Sequence, residues 1–405
     1  MYGLAVLFLC LEMAIQISPN VMALHLMKDL KLNSLDLGLM SGAYFYTYAL
    51  MQIPAGLLLD KYKAKFVITG ALIVCLTGTF LFSHSNSLYV LTFSRLLMGA
   101  GSAFAFISVL VVTADLFPHK YFSGMTSVTQ FFACLGAVAG TYYLNKIVLF
   151  YGWRPTMQIF TGAAILLACL TAMCLNYTKQ KSLAIKKSDT PLSIKEKLKK
   201  ILHQRQTWWI GLYSFLTWAP MTGFASLWSN PFLKKSYGLS SQQASLFTSF
   251  LWIGLALSGV GVGLASEYFK SRKKGMVFLS FIGLIAFGLI LSRLSGQLWI
   301  LGICLMITGA SCSAQILGFT SVKENNADEQ KGLAVAINNI MVVLSGALYQ
   351  PLIGWLLKKS AFYLHVPFLS HYSFRLALLP IFFSYIAAVI IAVFFIKETF
   401  KENTA

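Results

Sequence analysis

Charge is scarce in this chain. Only 11% of its 405 residues are Asp, Glu, Lys or Arg, where a soluble globular protein carries about 25%. Acids are scarcer still, 13 against 32 Lys and Arg. No Gly-x-x-x-x-Gly-Lys-Ser/Thr phosphate loop occurs, which excludes ATP as the direct source of energy. The six histidines are scattered (His25, His84, His119, His203, His365 and His371), and no HxxxH, HExxH or DxxD pair exists. No metal site, no cofactor and no enzyme activity are therefore expected. The seven cysteines all fall inside apolar runs without metal-ligand spacing and read as small packing groups. The net charge of +19 has no spare domain to present it to nucleic acid. The N-terminus lacks a basic leader and a small-residue cleavage site, and Glu12 interrupts its apolar run, so it reads as a first span rather than a signal peptide.

What is abundant is apolar length. Hydrophobic residues make up 57% of the chain, and a bilayer crossing needs roughly 20 of them in a row. Twelve such runs can be drawn: 3–25, 37–59, 66–84, 88–113, 122–144, 155–177, 208–231, 241–265, 275–292, 297–321, 332–357 and 376–396. The sixth, ninth and twelfth hold no charge. All should be helices, because a lipid-exposed strand edge leaves backbone groups unpaired. The expected class is an all-α integral membrane protein of twelve transmembrane helices. With both termini in the cytoplasm, cytoplasmic segments hold about twice as many Lys and Arg as the other side, which sets the orientation in an inner membrane.

A short pattern appears twice. Gly56, Asp60, Lys61, Lys63 and Lys65 follow the second run; Gly263, Glu267, Lys270, Arg272, Lys273 and Lys274 follow the eighth. The acids lie 207 positions apart, Gly124 and Gly332 lie 208 apart, and Gln130/Asn338 and Gly101/Gly309 keep that offset. Two homologous six-helix bundles follow, 1–177 and 208–405. Between them, 178–207 is a basic cytoplasmic linker. Its stretch 193–204 carries Ile194, Leu198, Ile201 and Leu202 on one side, as an amphipathic helix lying on the inner leaflet would.

The stretch Gly56–Lys65 resembles the loop between the second and third spans of the major facilitator superfamily, with Lys63 and Ala64 standing where that family has Gly and Arg. Arg95-Leu-Leu-Met-Gly99-Ala-Gly101 resembles the family's fourth-span pattern, and Gly152-Trp153-Arg154 also fits. The resemblance covers the whole chain. It implies two pseudo-symmetric six-helix bundles that rock about a midplane site, with Asp60, and Glu267 in the second half, latching them. Gly56, Lys61, Lys65, Gly263 and Arg272 complete the two loops. Drug–proton antiporters of the family carry a proline after the second glycine of the fifth-span pair; here Gly136 and Gly140 are followed by Thr141. That tilts the implied activity toward uptake by symport.

Glu12 is the sharpest single residue: an acid near the middle of the first span, expensive there unless paired or protonated. Gln16 and Asn20 follow at four-residue steps on the same helical face, with Pro19 between them. Arg95, in the fourth span, can reach Glu12's level. It either pairs with Glu12, anchors a substrate carboxylate, or bonds fixed backbone carbonyls. Other candidate cavity residues are Tyr44, Tyr48, Gln52, Gln130, Tyr213, Trp218, Trp252, Gln315, Asn338 and Asn339. Membrane-buried amides need partners and should face inward. The reading is a monomeric secondary transporter whose partners are the lipid bilayer, protons and a small polar solute (amino acid, organic acid or nucleoside). Proton-driven efflux of a metabolite, siderophore or drug is the alternative.

Overall fold

The computed structural model describes residues 1–117, 122–173, 194–293, 297–327, 329–367 and 369–400. These residues form helices and connecting turns, with no strand among them. In the first half the order is α1 (Tyr2–Asp29), α2 (Ser34–Lys61), α3 (Ala64–His84), α4 (Leu88–Ser102), α5 (Phe104–Leu116), α6 (Phe122–Tyr151) and α7 (Trp153–Met173). After α8 (Ile194–His203), the second half runs α9 (Arg205–Ala219), a π-helical stretch Pro220–Trp228, α10 (Ser229–Tyr237), α11 (Ser241–Tyr268) and α12 (Arg272–Ser292). It continues with α13 (Leu298–Ser311), α14 (Ala314–Glu324), α15 (Lys331–Tyr363), α16 (His371–Ala377), α17 (Leu379–Ile390) and a last π-helical turn, Ile391–Phe395.

Among the described residues, nine helical segments are long and apolar enough to cross a bilayer, or ten if α11 is counted despite its bend near Val260. Two runs fall short: α2 and the α9–α10 series. Both carry polar residues for a reason given by their positions. Each packs in part against the opposite half, α2 on α15 and the π-helical stretch on α1. Burial sorts the remainder. In the most apolar window of α1, 67% of residues are buried, against 44% in α3, α7, α12 and the α16–α17 run. The charge-free sixth, ninth and twelfth runs are thus peripheral, and their exposed Ile165, Leu166, Phe278, Phe281, Phe383 and Phe394 would form an aggregating surface in water.

The internal repeat is deeper than the sequence pattern alone suggests. Asn33 and Asp36 form a reciprocal cap at the start of α2; Ser240 and Gln243, each 207 positions on, do the same for α11. Lys31 and Gly238, again 207 apart, both adopt positive φ (53° and 67°) in the preceding turn. One pairing shifts. A Cβ on Gly309 would collide with the Leu251 carbonyl, and the residue in the matching place is Gly99 against the Tyr44 carbonyl, not Gly101. Gly101 packs on Ala71 and Cys75 instead. The fourth and tenth spans are therefore offset by 210, and the coincidence at Gly101 belongs to the sequence and not to the packing.

The linker is only partly described: 178–193 lies outside the described residues. Its helix α8 is present, but Ile201 is fully buried in a cluster with Ile210, Val322 and Ala334. This end of the amphipathic face is covered by the second half rather than by lipid.

Candidate functional site

Pro19 organises the polar interior of the first half. Proline has no N–H, so the carbonyl of Ile15, four residues earlier, loses its helical partner. Two side chains replace it: Ser18 Oγ donates to the Ile15 carbonyl at 2.9 Å, and Arg95 Nη1 donates to it at 3.0 Å. Arg95 Nη2 donates to the Gln16 carbonyl at 3.3 Å. Arg95 is 1% exposed, and its guanidinium lies 4.7 Å from the centre of the Tyr44 ring. The structure therefore places Arg95 on fixed backbone carbonyls. It does not reach the cavity and forms no ion pair with Glu12. Tyr44 lies between them: its hydroxyl donates to Glu12 Oε1 at 2.6 Å while its ring carries the guanidinium.

A cavity of about 140 Å³ lies between the halves, one wall of it formed by Glu12 and Gln16 of α1. Tyr48 of α2 and Gln130 of α6 add to this wall. Facing them are Trp218, Trp252, Gln315 and Asn339 of the second half. These eight predicted residues meet. Sequence reasoning missed the apolar remainder, including Met13, Phe45, Phe106, Met221, Phe319 and Val343, and also Thr222 and Ser226. An apolar side chain in an apolar span carries no signal of the direction it faces. Thr222 and Ser226 fall on the π-helical stretch, for which Pro220 and Gly223 were the available signs.

The other predicted residues are elsewhere. Asn20 is 1% exposed and stitches α1 to the π-helical break: Nδ2 donates to the Ala225 carbonyl (2.9 Å), and Oδ1 accepts from the Asn230 N–H (2.9 Å). It lies about 12 Å along α1 from Glu12, at 1.5 Å per residue. Gln52 accepts a hydrogen bond from Asn339 across the halves at 2.7 Å. Tyr213 is bound within its own half, donating to the Met276 carbonyl at 2.8 Å. Asn338 is buried beside Gly318 and is not on the cavity wall. Asp60 and Glu267 are exposed at the ends of α2 and α11, while Lys65 and Arg272 are buried at the starts of α3 and α12. Arg272 pairs with Glu324 at 3.1 Å. Gly56 and Gly263 have open space around them, and Lys61 is exposed. Among the described residues no cluster of His, Cys, Asp and Glu has the geometry to hold a metal.

The halves meet along α2 and α15, along α6 and α11, and where α1 meets the π-helical stretch. Ser34 Oγ donates to the Gly354 carbonyl (2.6 Å), Gly38 packs against Gln350 and Pro351, Phe45 packs on Gly346, and Asn339 reaches Gln52. At the Ser34 end, Gln242 of α11 also donates to Tyr142 of α6 at 3.2 Å. A pocket between two helical bundles, lined in part by polar side chains, is an arrangement that secondary transporters share.

The chain belongs to the Major Facilitator Superfamily, whose profile matches residues 4–350. It is 25% identical to the uncharacterized transporter YybO of Bacillus subtilis (strain 168) over 61% of this chain and 60% of that protein. It is 22% identical to the hexuronate transporter of the same organism, over 82% and 74% of the two chains. The first match thus spans about three fifths of its relative's length. A solved bacterial homologue of the human lysosomal transporter Spinster, inward-facing and unoccupied, superposes with a TM-score of 0.76 at 18% identity, covering 97% of this chain and 94% of that one.

Proposed function

We propose that this transporter couples proton movement to the movement of a small polar organic solute, by alternating access about the Glu12 cavity. The observation that carries the reading is that Glu12 is a fully buried carboxylate on the wall of a shared pocket, with no cation in contact among the described residues. Such a group is tolerable as the protonated acid or when a ligand supplies positive charge. Tyr44 holds it in place through either state, since a phenol donates to a carboxylate or to a carboxylic acid's carbonyl oxygen. A neutral solute would travel with the proton; a cation would exchange for it. With both termini cytoplasmic, the Asn20 and Ser34–Gly354 contacts are the closed outer gate, and the bundles at 1–177 and 208–405 face inward. The loop acids Asp60 and Glu267 would then act in the opposite state.

The similarity to a hexuronate transporter favours a sugar acid, but the cavity wall offers no Lys, Arg or His to meet one. The test is counterflow and gradient-driven flux in proteoliposomes, with and without a pH step. Gradient-dependent accumulation should disappear in Glu12→Gln and survive in Lys358→Gln, an exposed lysine far from the cavity. Unaltered gradient dependence in Glu12→Gln would end the proposal.

A further inference from the structure

We infer that the cavity takes a protonated organic amine, with its N–H donors on Glu12 and Gln16 and its apolar body against the facing aromatic residues. This rests on the transporter reading above and names its solute class.

Three observations converge. The first is the charge of the wall: one carboxylate and no basic side chain. Arg95, the one buried cation nearby, is committed to the carbonyls exposed by Pro19 and does not line the cavity. An anion entering here would meet a like charge, or a proton it must share, with nothing to offset its desolvation. The second is a set of unsatisfied polar atoms. Gln16, 9% exposed, has a buried Oε1 acceptor with no partner, one helical turn from Glu12. Trp252, 2% exposed, has a buried Nε1–H donor with no partner. Buried polar groups are nearly always satisfied, so orphans facing a cavity point to a ligand. They specify it: a donor toward the α1 side and an acceptor oxygen toward Trp252. The third is the aromatic content. Tyr48, Trp218 and Trp252 line the same space, and an ammonium is attracted to the face of an aromatic ring. The volume of about 140 Å³ suits a small amine rather than a drug-sized one, since drug pockets run to roughly 300–1,000 Å³.

One carboxylate cannot hold a proton and an ammonium at once. Loading is therefore an exchange: the Glu12 O–H bond breaks, the proton leaves to solvent, and the ammonium takes its place with no change in the site's net charge. The titratable and charged groups around Glu12 are Cys10 on its own helix, Tyr44 and Tyr48 on α2, Cys75 on α3, Arg95 on α4 and Cys134 on α6. Of these, Glu12 and Tyr48 line the cavity, and Glu12 is the carboxyl group.

The test uses three ligands of matched skeleton: 2-phenylethylammonium, 2-phenylethanol and 3-phenylpropanoate. Their binding to the purified full-length protein is measured by calorimetry in two buffers of different ionisation enthalpy. The ammonium should bind at least about tenfold tighter than the alcohol, the ratio expected for a charge-assisted hydrogen bond. It should release about one proton per site, and the carboxylate should not bind. In Glu12→Gln the ammonium and the alcohol should bind alike. Equal or tighter binding of the carboxylate, an ammonium preference that survives Glu12→Gln, or no binding by any of the three overturns the inference. The wild-type ranking decides the matter even if Glu12→Gln does not fold. Flux that ignores the pH step would sink the coupling proposal and leave this ranking standing; a ranking led by the carboxylate does the reverse.

Discussion

The two halves share a scaffold and differ in what it carries. The first half buries charge: Glu12 and Arg95, joined through Tyr44. At the corresponding places the second half has Ala219, Leu305 and Leu251. Beside them its interior holds paired hydroxyls: Tyr213 with Ser280 (2.9 Å), Tyr385 with Ser311 (2.7 Å) and Thr222 with Ser345 (2.6 Å). It also contains the π-helical break at Pro220–Trp228, where the first half has a proline with an arginine covering the exposed carbonyl. Both halves thus interrupt the leading helix beside the cavity. One covers the break with a cation; the other leaves it to the partner half, through Asn20. Near the cavity, buried charge is concentrated in the first half and the π-helical break lies in the second.

The comparison breaks first at Arg95. Arg95→Leu removes a donor from the Ile15 and Gln16 carbonyls in a buried site, and should cost about 1–3 kcal/mol, the scale for leaving a buried polar group unsatisfied. Unfolding in mild detergent by graded SDS would measure it. Pro19→Ala restores an N–H for the Ile15 carbonyl, so the double variant should be more stable than the sum of the single losses, a coupling of about 1–2 kcal/mol. Strict additivity would show that Arg95 does not serve the proline break.

The packing glycines should respond equally in both halves. Gly99→Ala and Gly309→Ala each drive a Cβ into a backbone carbonyl that cannot swing away, Tyr44's or Leu251's. Each should lose about 1–3 kcal/mol, the usual range for overpacking. Gly101→Ala meets the Ala71 carbonyl and Cys75 instead, so it should strain the α3 contact and leave the α2 contact unaltered. A loss at Gly99 without one at Gly309 would mean that the halves are less alike than their backbones.

How much of this was legible in the sequence follows from which residues leave a trace. The class, the repeat and the Glu12–Gln16 face could be read because a polar group in an apolar run is a departure with a cost. Arg95's role could be narrowed but not fixed, since a bidentate contact to a solute and a bond to carbonyls demand the same side chain. What separated them was Pro19 lying against it in space, 76 positions away in sequence. The apolar side chains, nine of the nineteen on the cavity wall, left no trace. Nor did the 210 offset of Gly309, because a chance glycine at 208 stood in the way.

A smaller effect tests the helix starts. Asn33→Ala and Ser240→Ala each remove one member of a reciprocal cap, at positions 207 apart. Each should cost about 1 kcal/mol. The two losses should match if the caps do the same job, whichever half holds the charge. Chemical unfolding of both variants side by side reads the difference directly.

The smallest effect separates the halves again, at their loops. Glu398 Oε1 accepts from the Arg272 N–H at 2.9 Å and Oε2 from the Lys273 N–H at 3.2 Å and from the Ser271 hydroxyl. It thereby satisfies the orphan donors at the start of α12, where a negative charge also meets the positive end of the helix. At the start of α3, the matching place in the first half, Lys63 provides no side-chain cap. Burial raises Glu398's pKa, but hydrogen bonds from Ser271 and from the Phe400, Arg272 and Lys273 amides outweigh it and hold the group below its ordinary 4.5. A depressed folded pKa means that the contact contributes fully above the ordinary value and is lost as pH falls through the lower folded one. Amide protection at Arg272 and Lys273, corrected for intrinsic exchange, should therefore be constant from neutral pH down to about the unfolded carboxylate value and drop below it. Glu398→Gln should lower that protection at neutral pH and remove the acid step, while leaving protection at Ala64 and Lys65 unaltered. An acid step of equal size at the start of α3 would show that the tail is not what distinguishes the two loops.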